Sequence, residues 1–519
     1  MKKTIILLVA LILTLGILVQ TATAQITVSG SNGKDATYGS LTKAAGAFLA
    51  LNSVTQAGKN IVITITSDVT TESGLYPLTG AAGMWTSLTI NPSGARTISG
   101  SPALPLIDLN GADNVSIDGL NSGGNSLTIS NTSTSATAGT STIRFINDAS
   151  NNTIENCTLT GSEMVVNSPT SGSGIIFFST TTGSTGNDDN TIDRNYITSA
   201  ADASRPLNAI YSLGTSAKEN SGNTIINNNI YNFLNKGAAS CGINLGNYTT
   251  AWTISENSFY ETATFTPTAS VEYRVINIEN TSGLNYTVLN NHIGGSSPEC
   301  GTSGSVATWT KATGYGNTFY GIYLNVGTGN ASNIQGNTIQ NFSYTNSTNA
   351  NWTGIQANAG DINIGTTTGN TIGRPTGTGS ILFTAGATGA NFYGINITSS
   401  GTVDTQNNTI GSITPSNAAG NATNFFGINK TNVAGTTTII NNTIGSTITA
   451  SSINASSASS TAANAQSVYG IYSAGTGTVT ISGNTISKLT NGTTNTTAAT
   501  AGLIDGIVCT SGTNTITNN

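Results

Sequence analysis

The chain has 519 residues, of which only 7% are charged, and its net charge at pH 7 is −6. This excess of acidic over basic residues excludes nucleic acid as a partner. Phosphate backbones are bound mainly by clustered Lys and Arg, and the sequence has no basic cluster. Thr, Ser, Asn and 61 glycines would be typical of disorder, but Ile and Val recur at strand spacing and indicate stacked strands.

The first 24 residues have the three parts of a secretory signal peptide. Two lysines precede an apolar run from Ile5 to Val19, and Ala22-Thr23-Ala24 supplies the small residues of a cleavage site. The apolar run is shorter than a membrane-spanning helix requires, and no later stretch is long and apolar enough to cross a bilayer. We therefore expect a signal peptide over 1–24, a secreted or cell-surface location, and no membrane span in the mature chain.

Residues 25–56 are predicted to cap one end of the fold. Ser40 is placed to begin a helix over Leu41–Leu51, whose apolar residues fall largely on one face. A stack of strands has open edges that would pair with other chains, and such a helix laid across the first turn of the stack would cover that edge.

One frame recurs through the rest of the chain, residues 57–519: an aliphatic residue, two residues, Asn, one residue and an aliphatic. Successive Asn slots lie about one repeat apart, 33 residues from Asn195 to Asn228 and 29 from Asn228 to Asn257. The frame predicts two short strands with inward aliphatics, joined by a bend at an Asn that tolerates left-handed backbone. The slot residues are Asp118, Cys157, Asn195, Asn228, Asn257, Asn291, Asn337, Asn408, Asn442 and Asn484, with a looser copy at Asn370.

A second motif, often an aromatic residue followed by Gly and Ile, opens each repeat. The distance from this Ile to the next Asn slot is nearly constant, whereas the distance from the slot to the next Ile varies between repeats. Length variation is therefore confined to one connection, which indicates about fourteen coils of three strands with all inserts on one face. The motif occurs at Tyr320, Tyr393, Phe426 and Tyr469.

A stacked Asn at every bend predicts a ladder, because each side-chain amide donates to the carbonyl of the next. The last slot is Asn519, where the sequence stops before the inward aliphatic residue of its frame. We therefore expect the helix to be truncated at this end and to continue into a further part of the same protein.

These motifs resemble the pectin-lyase-like superfamily of right-handed parallel β-helices. The chain also resembles the long, Asn/Thr/Gly-rich secreted repeat proteins of Bacteroidetes-type bacteria. The resemblance implies an all-β, single-stranded solenoid over most of residues 25–519. Pectate lyases, polygalacturonases and surface adhesins share this fold, so the resemblance leaves the function open.

The strongest catalytic candidates are Asp188, Asp189, Asp193 and Arg194, which resemble the paired acids of polygalacturonase-type hydrolases. Glycoside hydrolysis needs two carboxylates at a set separation. The Gly-His-Gly and Arg-Ile-Lys elements of those enzymes are absent, and the single histidine, His292, is predicted to lie outward on the surface. A lyase would instead use the carboxylates for Ca²⁺ and a basic residue as proton acceptor. A polar turn between coils explains the same residues more simply.

The preferred hypothesis is a non-catalytic secreted or cell-surface β-helix, an adhesin-like shaft without a cofactor or metal. Its expected partners are an extracellular polysaccharide or a neighbouring cell surface, bound on the insert-bearing face; the aromatics before Gly-Ile could stack on sugars or only on each other. A polysaccharide lyase or glycoside hydrolase is the alternative. Cys157 is predicted to be a small buried residue, and a disulfide between Cys241 and Cys300 is permitted by export.

Overall fold

The computed structural model describes residues 25–80, 83–166, 172–301, 308–386, 389–417, 421–431, 433–457, 465–494 and 502–519. The predicted signal peptide, residues 1–24, lies outside these ranges. Within them, no helix has the length and apolarity to cross a membrane.

The described chain is a parallel β-helix, in which each coil adds one strand to each of several long sheets. Sheet A has 16 strands and sheet B has 13, and the chain bends directly from an A strand into a B strand. The strands of sheet A, in spatial order, are Ala36–Tyr38, Ile26–Ser29, Asn60–Ile65, Ser87–Pro92, Val115–Asp118, Thr153–Glu155, Thr191–Asp193, Thr224–Ile226, Thr253–Ser255, Thr287–Leu289, Ser332–Gln335, Ile362–Ile364, Thr402–Gln406, Thr436–Ile440, Thr478–Ser482 and Thr513–Thr517. Those of sheet B are Val69–Glu72, Ala95–Gly100, Ser126–Asn131, Cys157–Gly161, Tyr196–Ser199, Asn229–Tyr231, Ser258–Tyr260, His292–Ile293, Thr338–Ile339, Thr371–Gly373, Thr409–Gly411, Thr443–Gly445 and Thr485–Ser487.

Sheet C has 12 strands, and the aromatic-Gly-Ile motif lies within four of them, Phe319–Val326, Ala390–Ile397, Thr423–Lys430 and Ser467–Ser473. Its strands are Pro105–Asn110, Ser141–Ile146, Ile176–Phe178, Asn208–Ser212, Ser240–Leu245, Tyr273–Asn280, Phe319–Val326, Trp352–Ala359, Ala390–Ile397, Thr423–Lys430, Ser467–Ser473 and Leu503–Cys509. A sheet that the sequence did not predict, sheet D, has six strands between sheets B and C: Trp309–Lys311, Phe342–Thr345, Ile381–Ala385, Ile413–Asn417, Ile453–Ser457 and Leu489–Asn491. A small two-stranded sheet pairs Asn220–Ser221 with Thr249–Thr250.

The interior is filled by columns of aliphatic and aromatic side chains that run from coil to coil. In sheet A, Ile192 pairs with Ile154 on one side and with Ile225 on the other, and all three are fully buried. In sheet C, Gly394 also faces inward, because a Cβ there would lie 2.5 Å from the carbonyl oxygen of Gly427. This close approach of adjacent coils explains the glycine that precedes Ile in the motif.

The slot asparagines form one continuous hydrogen-bonded row between sheets A and B. At Asn408, Oδ1 accepts the backbone N–H and the Nδ2–H of Asn370 at 3.0 and 2.9 Å, and the Nδ2 of Asn408 donates in turn to Asn442 at 2.9 Å. The same pattern joins every member of the row, which consists of Asn195, Asn228, Asn257, Asn291, Asn337, Asn370, Asn408, Asn442, Asn484 and Asn519. Cys157 occupies the preceding position, where its backbone N–H donates to Asn195 Oδ1 at 3.0 Å.

Two details of the bend differ from the prediction. The left-handed residue is the one before the slot, such as Asn407 at φ 58° or Arg194 at φ 53°, and not the slot Asn itself. Asp118 lies outside the row, because it pairs with Glu155 at the end of a sheet A strand, two positions before the slot of the next coil. Its carboxylate accepts hydrogen bonds from Asn156 Nδ2 and from the backbone of Leu120.

The amino-terminal end carries a shorter helix than predicted. Helix α1 covers Ala47–Asn52, whereas residues 40–46 fold around the buried carboxylate of Glu72. That carboxylate accepts from Ser40 Oγ at 2.8 Å and from the backbone N–H groups of Leu41 and Thr42 at 2.6 and 2.9 Å. The outer edge of the first parallel strand is covered by Ile26–Ser29, which pairs with Asn60–Ile65 in antiparallel fashion.

Candidate functional site

The four catalytic candidates do not form a pair of free carboxylates. Arg194 makes ion pairs of 2.6 Å with both Asp193 and Glu155, at the bend between sheets A and B. Asp188 lies in the turn before the strand Thr191–Asp193, where its Oδ1 accepts from the backbone N–H and hydroxyl of Ser221. Asp189 adopts left-handed backbone, with φ 55°, in the same turn. The structure therefore separates this set between two ends of one strand.

Acidic residues of neighbouring coils do gather around Asp188. Burial raises the pKa of Asp188, and the charges of Asp189 and Asp148 add to the effect, whereas hydrogen bonds from Ser221 oppose it. The carboxylate of Asp148 is already bound by the hydroxyl of Thr181 and the backbone of Ser184. Among the described residues, no group of three or more His, Cys, Asp or Glu is placed to bind a metal ion. Asp148 and Asp188 therefore lie in turns, where hydroxyl and backbone N–H groups bind their carboxylates.

His292 lies on the outer face of sheet B, next to the asparagine row. Together with Glu256 and Glu299 it lines a depression of 320 Å³. Burial lowers the pKa of His292, against an opposing effect of Glu299. The side chain points outward and is half-buried.

The four cysteines are all free, so Cys241 and Cys300 form no disulfide. Cys157 is fully buried, and its Sγ contacts the carbonyl oxygen of Glu155 at 3.1 Å. Burial raises the pKa of the Cys157 thiol, and it raises that of Cys241 to about 12. A thiol needs a lowered pKa to react readily, so neither cysteine has the character of a nucleophile.

The outer face of sheet C carries a column of aromatic rings. Tyr393, Phe426 and Tyr469 occupy the same position in three successive coils, and their ring centroids are 5.1 and 5.2 Å apart. Tyr472 packs its ring against Phe426 and Tyr469. All four rings are partly exposed, so one edge or face of each is open to solvent. The aromatics thus stack on each other and also form a surface.

A row of side-chain amides runs beside these rings. Asn429 Nδ2 donates to Asn396 Oδ1, and Asn396 Nδ2 donates to Gln356 Oε1, both at 2.7 Å. Asn396, which is partly exposed, donates one N–H to Gln356 and has a second N–H that a ligand could take, whereas Gln356 and Asn429 are buried. On the other side of the rings, Asn424 Nδ2 donates to Asn391 Oδ1 at 3.0 Å. The repeat pattern of the sequence predicts neither row, although the residues of the first row directly follow the Ile of the motif.

We call these rings and amides the sheet C platform, defined by Tyr393, Phe426, Tyr469, Tyr472, Gln356, Asn396 and Asn429. A depression of 410 Å³ lies among its last two coils, lined by the aromatic rings together with Asn424, Asn429 and Ser467. In the coils of the platform, the length-variable connection ends at the start of the sheet C strand that carries the platform residues. Polar groups beside a flat apolar surface are what an uncharged or weakly charged hydroxyl-rich ligand requires.

A charged cluster continues the same face towards the amino terminus. The guanidinium of Arg274 lies 3.8 Å from the ring centroid of Tyr323 and forms ion pairs with Glu272 and Glu279 at 2.6 and 3.0 Å. Burial acts to lower the pKa of Arg274, but Glu272 and Glu279 outweigh it and hold the pKa above its usual value. Arg274 is therefore a permanent cation that its own neighbours already neutralise.

Comparisons with known proteins add little beyond this geometry. No family profile matches the chain, and a search of curated proteins finds no match. Among solved structures, the chain is similar to a mutant of the PL6-family alginate lyase AlyGC, at 9% sequence identity and a TM-score of 0.18, over 86% of this chain and 97% of that one. A TM-score this low assigns neither a fold nor a function to the chain. The parallel β-helix is therefore assigned from its own sheets.

Proposed function

We propose that this protein is a secreted or cell-surface β-helix that binds a polysaccharide on the sheet C platform without cleaving it. The observation that carries the proposal is the partly exposed column of Tyr393, Phe426 and Tyr469, with a row of amides beside it. Sugar rings present apolar C–H faces that stack on aromatic rings and hydroxyls that pair with amides, so the two columns complement the two parts of a sugar. An adhesin-like role is consistent with this surface.

The arrangement of acids supports binding over cleavage. Hydrolysis needs one carboxylic acid and one carboxylate facing the same bond, and a lyase needs a base near the sugar carbon. At one end of the described platform, Glu272 and Glu279 are ion-paired with Arg274. At the other end, Asp505 stands in register with Tyr469, so the acids lie at opposite ends. The catalytic candidates Asp188 and Asp193 belong to turns and bends of earlier coils, where serine and arginine side chains hold them.

The test measures binding of the purified protein to soluble polysaccharides by affinity electrophoresis and calorimetry. The panel contains xyloglucan, glucomannan, arabinoxylan, alginate and polygalacturonate. Phe426→Ala removes the central ring of the column and is expected to weaken binding about tenfold or more. Tyr231→Ala is the matched control, because its ring stacks on Tyr260 at 5.1 Å on the outer face of sheet B, away from the platform. It should leave binding unchanged.

The same samples are assayed for new reducing ends and for unsaturated products. No increase above the buffer blank is expected with any polysaccharide. The proposal fails if no member of the panel binds, or if Tyr231→Ala and Phe426→Ala weaken binding equally. Product release that Asp188→Asn abolishes would instead establish the enzyme hypothesis.

A further inference from the structure

We infer that the platform takes an uncharged polysaccharide, whose chain lies along the helix axis with about one sugar ring per coil. The inference rests on the proposed function and specifies its ligand class. It depends on two observations: the charges on the outer face of sheet C, and the direction in which its aromatic rings succeed one another.

No cation is available to an acidic sugar along this face of the described chain. The strands of sheet C contain three cationic residues, and two of them are ion-paired: Arg144 binds Asp108 through two hydrogen bonds of 2.9 and 2.7 Å, and Arg274 binds two glutamates. The third, Lys430, is fully buried, and its Nζ donates to the carbonyl oxygen of Ser399 at 2.6 Å. A carboxylate-bearing polysaccharide would find no free positive partner here.

Both ends of the platform are negative. At one end, Arg274 stands between Glu272 and Glu279, so this cluster has an excess of one negative charge. At the other end, Asp505 follows Tyr469 in the aromatic column. Between these ends, every outward side chain of the platform is an amide or an aromatic ring. A polyanion laid across it would meet like charges at each end, which costs free energy of binding, whereas a neutral chain would not.

The aromatic rings succeed one another along the axis and not across the sheet. Their centroid spacings of 5.1 and 5.2 Å follow the separation of neighbouring coils and are similar to the length of one pyranose ring in an extended chain. The amide row runs parallel to the rings at the same spacing, since Gln356, Asn396 and Asn429 occupy matched positions in successive coils. The coils of Tyr393 and Phe426 each place one amide beside the ring. The coil before them has Thr353 in the ring position, and the coil after them has Tyr472 in the amide position.

The experiment compares neutral with acidic polysaccharides at 20 mM and 500 mM NaCl. Xyloglucan, glucomannan and arabinoxylan form the neutral group, and alginate and polygalacturonate form the acidic group. We expect binding to at least one neutral polysaccharide, with an affinity that changes less than about twofold between the two salt concentrations, because no ion pair is screened. For oligosaccharides of the bound polymer, affinity should rise with each added sugar up to about four residues and then level off.

Asp505→Lys provides a charge control at the edge of the platform. This variant should change the affinity for neutral polysaccharides by less than about twofold. Its affinity for alginate at low salt should be higher than that of the unaltered protein. Preferential, salt-sensitive binding of an acidic polysaccharide by the unaltered protein would overturn the inference and leave the proposed function standing. Affinity that levels off at a single sugar residue would overturn the axial orientation. No binding to either group would overturn the proposed function and this inference with it.

Discussion

Each asparagine of the row between sheets A and B satisfies groups in three coils. The Nδ2 of Asn408 contacts the carbonyl oxygens of Ile364 and Gln406 as well as Asn442, at 2.8 to 3.0 Å. Its Oδ1 accepts two donors from Asn370. Removing one asparagine of the row therefore leaves buried donors and acceptors unpaired on both sides. Each buried polar group without a hydrogen-bond partner lowers the free energy of unfolding.

Asn408→Ala should cost about 2–4 kcal/mol in local stability. Native-state hydrogen exchange can localise the effect: the backbone amide of Asn370 loses its acceptor and should exchange faster, whereas the amide at position 408 still donates to Asn442 Oδ1. Asn407→Gly is the matched control, because Asn407 is exposed and Gly adopts its φ of 58° without strain. It should change stability by less than about 1 kcal/mol. Unchanged exchange at Asn370 would contradict the role of the row.

A second prediction concerns Lys311, which is almost fully buried. Its Nζ donates to the carbonyl oxygens of Tyr315 and Thr345 at 2.6 and 2.7 Å and to Asn346 Oδ1 at 3.0 Å. Burial lowers the pKa of Lys311 to about 7. The unfolded chain therefore binds more protons between pH 7 and about 10.5, and stability should rise with pH across this window.

Lys311→Met removes this titration, so the unaltered protein should gain melting temperature relative to the variant as the pH rises from 7 to 10. Lys488→Met changes an exposed lysine and serves as control, for which no such trend is expected. Melting curves at three pH values check the prediction. A difference between Lys311→Met and the unaltered protein that stays constant from pH 7 to 10 would count against it.

The sequence reveals the slots of the row but not the geometry of the bend. Asn is followed two residues later by an inward aliphatic in copy after copy, so its stacking could be predicted. The left-handed position before it holds Asn407 in one coil but Arg194 and Glu256 in others, and the last two residue types give no such signal. The frame predicts a slot at Asp118 because Val115 and Ile117 are both inward aliphatics, and alternation cannot distinguish registers that differ by two residues.

At the scale of single strands, sheet C carries an interior aromatic column on one face and the platform on the other. In the strand Ala390–Ile397, Phe392 faces inward, where its ring stacks on Trp352 at 4.7 Å and on Phe425 at 5.7 Å. The next residue, Tyr393, faces outward into the platform. Adjacent aromatic residues thus serve an interior column and a surface column.

Substitution of these two neighbours should have opposite consequences. Phe392→Ala should cost about 3–5 kcal/mol, because it opens a cavity in a fully buried stack, and Phe392→Leu should cost less. Tyr393→Ala should cost about 1 kcal/mol but weaken polysaccharide binding. Denaturant unfolding and affinity electrophoresis on the same samples measure both effects. If Tyr393→Ala unfolds the protein as readily as Phe392→Ala, the platform is structural.

The aromatic-Gly-Ile motif can be recognised in the sequence, but the sequence does not show which of its side chains face the interior. Gly394 and Ile395 are both buried, so simple alternation fails in the middle of the strand and cannot say which aromatic points inward. The strands of sheet D could not be predicted for another reason. Its strands lie inside connections whose lengths differ from coil to coil, so they stand at no fixed distance from either motif.

At the scale of the whole molecule, each coil contacts mainly the coils before and after it, so the helix should tolerate the loss of one complete coil. Deleting residues 409–442 joins Asn408 to Thr443 and restores the same Asn-Thr-Ile-Gly sequence at the bend. The strand Thr371–Gly373 would then pair with Thr443–Gly445, which has the same sequence as its present partner Thr409–Gly411. The inward and outward positions are preserved, so this variant should fold as a rod shorter by about 4.8 Å.

Deleting residues 410–442 removes one residue fewer and is the control. It inserts an extra Thr after Asn408, which moves Ile444 from an inward to an outward position and reverses every side chain of that strand. We expect this variant to lose hydrogen-exchange protection in the coils around the junction, whereas the in-register deletion keeps it. Equal loss of protection in both variants would show that the stack depends on contacts beyond neighbouring coils, since register alone distinguishes the two chains.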